Sequence, residues 1–107
     1  MAAFNTNDIE KQVAQLAVSI FAGFSQVAIN DGKVFVAAIQ QDLLTAAEER
    51  AQGNINELEF QEAKKDLRAE AKMEKLKQEG LAQVSVDKFT TGVLDIVAKG
   101  ALAAVGL

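Results

Sequence analysis

The stretch NDIEKQVAQLAVSIFAGFSQVAI, Asn7 to Ile29, decides the fold. Lys11 is its last charge, and none follows until Asp31. Wound as a helix, it lines up Gln12, Gln15, Ser19, Gln26 and Asn30 as one narrow polar stripe. The remaining circumference carries Ile9, Val13, Leu16, Ile20, Phe24 and Val27 at spacings of three and four, with Val18, Phe21 and Ala28 beside them. That is more apolar surface than a helix lying on one neighbour needs. The pattern predicts the central helix of a bundle, with Ile20 and Phe24 in its core, or else a helix that meets lipid.

Outward from this segment, Asn7 and Glu10 have the spacing of a capping box, with Asp8 in the first turn against the helix dipole. The first helix is therefore expected to start near Asp8. Asn30-Asp31-Gly32-Lys33 groups three turn-forming residues, which predicts a tight turn and an antiparallel hairpin with a second helix. The Asp-Gly pair lacks the alternating oxygen ligands and closing Glu of a calcium loop. The second helix is expected from Val34 to Ala51, with Phe35, Ile39, Leu43 and Ala46 on one face and Val36 and Leu44 widening it. Glu48, Glu49 and Arg50 read as its solvated end, since consecutive helical residues point about 100° apart and no apolar pocket surrounds them.

A second break follows in Gly53-Asn54-Ile55-Asn56-Glu57-Leu58-Glu59-Phe60, succeeded by Lys64 and Leu67. Gly53 suits the position just past a helix end, and Asn56 with Glu59 forms a second capping box. From Gly53 to Leu67 the pattern resembles the SHOCT-like short helical motif found at the C-termini of bacterial proteins: Gly, Ile, a cap residue, Glu-Phe, then Lys and Leu. The resemblance implies a role in oligomerisation.

The third helix is expected to run unbroken from Glu57 to Glu79, a span of roughly 34 Å. Phe60, Ala63, Leu67 and Ala71 share one face, whereas Leu58, Ala69, Met73 and Leu76 share nearly the opposite one. The positions between them alternate in charge, as on a solvent-flanked helix. One neighbour cannot cover both stripes. Either the stripe drifts as the helix curves around its bundle, or the helix is a strut between its own bundle and a second body.

Gly80 should end that helix, Leu81 to Val84 should link, and Ser85 should cap a fourth helix with Asp87 in its first turn. Phe89, Val93, Ile96, Gly100 and Ala104 make its stripe, with Leu94, Ala98, Ala101 and Val105 alongside, and Asp95 and Lys99 are placed to pair on its polar face. Gly92 and Gly100 permit close helix approach. Beyond Lys99 the segment from Gly100 to Leu107 is apolar all round, which predicts an ordered helix end covered by protein.

Composition narrows the function. The 107 residues contain no Pro, Cys, His, Trp or Tyr. Missing proline and abundant alanine favour uninterrupted helix; missing Cys and His remove the usual nucleophile, base and soft metal ligands. No nucleophile-elbow or phosphate-cradling glycine pattern is present, and the remaining carboxylates in the third helix stand among lysines that compete for them. No enzyme, cofactor or metal site is expected. A net charge of −4 with interspersed signs argues against nucleic acid, which needs a basic face. Met1 to Glu10 lacks the basic and apolar regions of a secretory signal, so a cytoplasmic location is the default expectation.

The combined expectation is an all-α protein, a small four-helix bundle over residues 1–107 with an N-terminal helical hairpin and one long charged helix. Its expected role is structural or interactive: self-association or docking on a protein partner. The surface expected to carry this comprises Leu58, Ala69, Met73, Leu76, Leu102, Val105 and Leu107. The alternative is a membrane-active protein, interfacial or pore-forming, that uses the apolar segments 12–30 and 100–107.

Overall fold

The computed structural model describes residues 4–107, and every regular element among them is helical. The first three residues, part of the stretch read against a secretory signal, lie outside the described residues. The elements are α1 (Thr6–Phe21), a 3-10 turn (Ala22–Phe24), α2 (Ser25–Ala51), α3 (Glu57–Asp66), a second 3-10 turn (Leu67–Glu70), α4 (Glu74–Gln78) and α5 (Gln83–Ala104). Close approaches fix their directions. A methyl group at Gly32 would meet Val13 of α1, one at Gly92 would meet Leu16, and one at Gly100 would meet Ile9, so α1 runs antiparallel to both α2 and α5. Lys64 bonds Asp95, and Arg68 approaches Asp87, so α3 runs antiparallel to α5. The result is an up-down-up-down four-helix bundle whose third position is filled by α3, the 3-10 turn and α4 in succession.

The core is one cluster drawn from all of these layers. Phe35, Ile39 and Leu43 of α2 meet Phe89, Val93 and Val97 of α5, with Val13, Ala17 and Phe21 of α1 on one side and Phe60, Met73 and Leu76 on the other. Phe21 and Phe89 stack edge to face at 5.4 Å between ring centroids. Burying each large side chain of this set contributes roughly 1.5–3 kcal/mol. As the sequence suggested, small residues let α5 lie tightly on α1: a Cβ at Gly100 would sit 2.8 Å from Ile9 Cδ1.

Several boundaries differ from expectation for identifiable reasons. The hairpin does not turn at Asn30–Lys33, which is the middle of α2, but at Ala22–Phe24. Gly32 is needed inside the helix, because a Cβ there would lie 2.7 Å from Val13 Cγ1 and 3.1 Å from the Phe89 ring. Gly23, by contrast, has nothing within 4 Å and leaves the chain free to reverse, with Ala22 adopting φ 44. Helix α1 starts two residues earlier than the Asn7 box implied, since Asn5 accepts the Asp8 N–H at 3.1 Å. Helix α5 starts at Gln83 from Ala82, without the Ser85 cap.

The expected 57–79 helix is broken. Its first turn is as foreseen: Asn56 and Glu59 exchange both capping-box bonds, at 2.8 and 3.0 Å. Gly53 and Gly80, both at positive φ, follow the ends of α2 and α4. Between them, however, the chain unwinds over Ala71–Met73, and Met73 takes left-handed backbone with φ 46. The break folds Met73 and Leu76 of the second stripe back onto the body that the first stripe already covers, and leaves Leu58 and Ala69 exposed.

Candidate interaction surface

The stretch expected at the centre of the bundle, with one narrow polar stripe, is open on an apolar side as well. Between Gln12 and Asn30 only Val13, Ala17, Phe21 and Ala28 are buried; Leu16, Ile20, Val27 and Ile29 are half-buried. Val18 is 58% and Phe24 43% exposed. Phe24 is thus not the core residue that periodicity implied. The break at Ala22–Phe24 shifts the helical phase, so the side chain that would have followed Phe21 inward is carried out to the tip of the hairpin. Its neighbours in sequence, from Ser19 to Gln26, carry no charge.

The residues expected to form the contact surface are not brought together. Met73 and Leu76 are 4% and 0% exposed in the core of their own chain, a correction that follows from the break in the third layer. Leu58 is 67% exposed on the outer side of α3, and Ala69 is exposed on the 3-10 turn. Leu102 and Val105 are half-buried against the core, and Leu107 is 53% exposed. The segment from Gly100 to Leu107 is ordered as expected and partly covered by its own bundle. It also has a stop: Leu107 N–H donates to Leu102 C=O at 2.8 Å and Gly106 N–H to Ala103 C=O at 3.1 Å, the paired bonds of a Schellman motif.

A second feature was missed in the sequence. Between α2 and the link from Glu70 to Lys75 lies a cleft of about 480 Å³. Its α2 wall is Asp31, Val34, Phe35 and Ala38; its other wall is Met73, with Glu70, Lys72, Glu74 and Lys75 at the rim. Asp31, read as a turn residue, is only 9% exposed, and its Oδ2 accepts the Leu76 N–H at 2.9 Å. Leu76 is the third residue of α4, the position an N-cap side chain normally serves. Met73 precedes α4 without any side-chain cap. Asp31 therefore caps α4 from another helix.

Ion pairing on this surface joins layers rather than turns of one helix. Asp95 Oδ1 accepts from Lys64 Nζ at 2.8 Å instead of pairing with Lys99. Arg50 Nε lies 2.7 Å from Glu57 Oε2 across the α2–α3 connection, but off the N–H axis, so the contact is an ion pair without a directed hydrogen bond. Among the described residues no three potential metal ligands converge. No protein-family model, characterised protein or solved structure matches the chain.

Proposed function

We propose that this is a small helical interaction protein that self-associates or docks on a protein partner through the open side of the α1–α2 hairpin. One observation carries the reading: Val18 and Phe24 stand exposed within a stretch, 12–30, that bears no charge at all. Isolated exposed apolar residues are ordinary, but a run of sequence this long that reaches the surface without contributing a single charged side chain has the composition of a contact. The resemblance of Gly53–Leu67 to a motif linked with oligomerisation leans the same way. Replacing both Val18 and Phe24 by Glu should lower the mass seen by light scattering and leave helical circular dichroism intact. A monomeric mass for the unaltered protein, together with no partner lost on substitution, would remove the proposal.

A second reading has its own support. The stretch from Thr6 to Ala51 contains an eighteen-residue window apolar enough for a membrane, and only 22% of that window is buried. The hairpin tip at Phe24 would then dip into a lipid interface, with its apolar side chains buried at the headgroup boundary. Sedimentation with anionic vesicles separates the two: lipid-dependent pelleting abolished by the same two substitutions would favour the membrane.

A further inference from the structure

We propose that the cleft between α2 and the α3–α4 link binds a small aliphatic primary amine whose ammonium group pairs with Asp31. The volume of about 480 Å³ lies within the range of small-molecule sites, roughly 300–1,000 Å³. Its walls at Val34, Phe35, Ala38 and Met73 offer no polar side-chain group, so they suit a hydrocarbon chain. Asp31 is the exception. As a residue it is nine-tenths buried, and among the described residues its carboxylate accepts one bond, from Leu76 N–H to Oδ2, and pairs with no lysine or arginine.

A carboxylate engaged at Oδ2 alone keeps its lone pairs free at Oδ1, since an ionised carboxylate accepts at several positions, and a donor of opposite charge entering the cleft completes it. At the rim Glu70 and Glu74 offset Lys72 and Lys75, so Asp31 holds the one unbalanced charge of the lining. An anion entering the cleft would meet that charge. A neutral alcohol would leave it unmatched, whereas an ammonium supplies three donors and the opposite sign, a charge-assisted bond about twice as strong as a neutral one. The capping role toward α4 and the ligand role use different oxygens: Oδ2 is engaged, and Oδ1 carries the recognition.

That separation makes the proposal testable. Asp31→Asn keeps an oxygen able to accept the Leu76 N–H but removes the charge. Ala38→Leu narrows the cleft without touching Asp31. The probes are n-butylammonium and n-butanol, titrated at constant ionic strength while the amide resonances of Leu76 and Ala38 are followed by NMR. The unaltered protein should bind the amine saturably and at least tenfold more tightly than the alcohol. Asp31→Asn should bring the two probes level, and Ala38→Leu should weaken both. Absence of saturable binding, equal binding of the two probes by the unaltered protein, or an amine preference that survives in Asp31→Asn would each overturn the assignment. Should Asp31→Asn fail to fold, the amine-to-alcohol ratio in the unaltered protein and its loss of both in Ala38→Leu still decide it.

Discussion

Two stretches of this chain carry more apolar surface than one neighbour can cover, and the fold treats them in opposite ways. Residues 12–30, apolar over most of a helical circumference, were expected at the centre and instead leave one side open, with Val18 and Phe24 in solvent. Residues 57–79, with two opposed stripes, were expected either to curve around their own bundle or to reach a second body as one helix, and instead break so that Phe60, Met73 and Leu76 share one core. The difference lies in where each stretch breaks. A reversal at Ala22–Phe24 turns part of an apolar helix outward, and a left-handed residue at Met73 turns Met73 and Leu76 of a second stripe inward. A surplus of apolar positions therefore counts the contacts a stretch needs; the position of its break decides whether those contacts come from its own chain.

The sharpest way to break this contrast is to truncate one side chain from each region. Leu76 is fully buried, so Leu76→Ala should cost about 2–5 kcal/mol through lost burial and the cavity left behind. Phe24→Ala removes a larger side chain but from the surface, and should cost no more than about 0.5 kcal/mol. Urea denaturation of the two variants gives the comparison directly. A midpoint drop for Phe24→Ala as large as that for Leu76→Ala would restore the central-helix reading of the first stretch. Glutamate at both Met73 and Leu76 should unfold the protein, because it places two unpaired carboxylates in the core.

A smaller effect should come from the two glycines that exchanged roles. At Gly32 an added Cβ meets Val13 and Phe89, which are 1% and 0% exposed and cannot give way. Overpacking of that kind costs about 1–3 kcal/mol, more than the helix-propensity gain of about 1 kcal/mol from replacing glycine by alanine. Gly32→Ala should therefore lower Tm by several degrees, whereas Gly23→Ala, with open space around it, should leave Tm within a degree or two. Equal shifts would mean that the chain reverses at Asn30–Lys33 after all.

Much of this was legible beforehand. All-α architecture, the Gly53 stop, the Asn56–Glu59 box, the Gly80 stop and the small-residue packing of α5 follow from local chemistry that tertiary structure did not override. The hairpin turn was misplaced because Asn30-Asp31-Gly32 has strong turn chemistry, while Ala22-Gly23-Phe24 has little. A signal was present nonetheless: Ala28, Gly32, Phe35, Ile39 and Leu43 keep an unbroken helical phase straight through the supposed turn, and a true reversal has no reason to preserve phase. No comparable signal marks the break at Ala71–Met73. Nothing in Arg68 to Gln78 disfavours helix, so the break is imposed from outside, by burial of Met73 and Leu76 and by a carboxylate that lies far away in sequence. The cleft beside Asp31 inherits that opacity, since its second wall, Glu70 to Lys75, is placed by the break.

The smallest effect tests whether the third layer is tied down by charge or only by packing. Asp95 had two candidate partners, Lys99 one turn along its own helix and Lys64 on α3, and the structure pairs it with Lys64 at 2.8 Å. The lysine side chain is 20% exposed and the aspartate 47%, so solvent screens the pair and its coupling should fall between about 0.2 and 1 kcal/mol. A double-mutant cycle of Lys64→Met and Asp95→Asn, read by urea denaturation at low salt, should return a coupling in that range that shrinks as salt is added. The parallel cycle of Asp95→Asn with Lys99→Met should return none. Coupling to Lys99 with none to Lys64 would mean that α3 is not held in this register on α5. The inward fold of residues 57–79 would then rest on Phe60, Met73 and Leu76 alone.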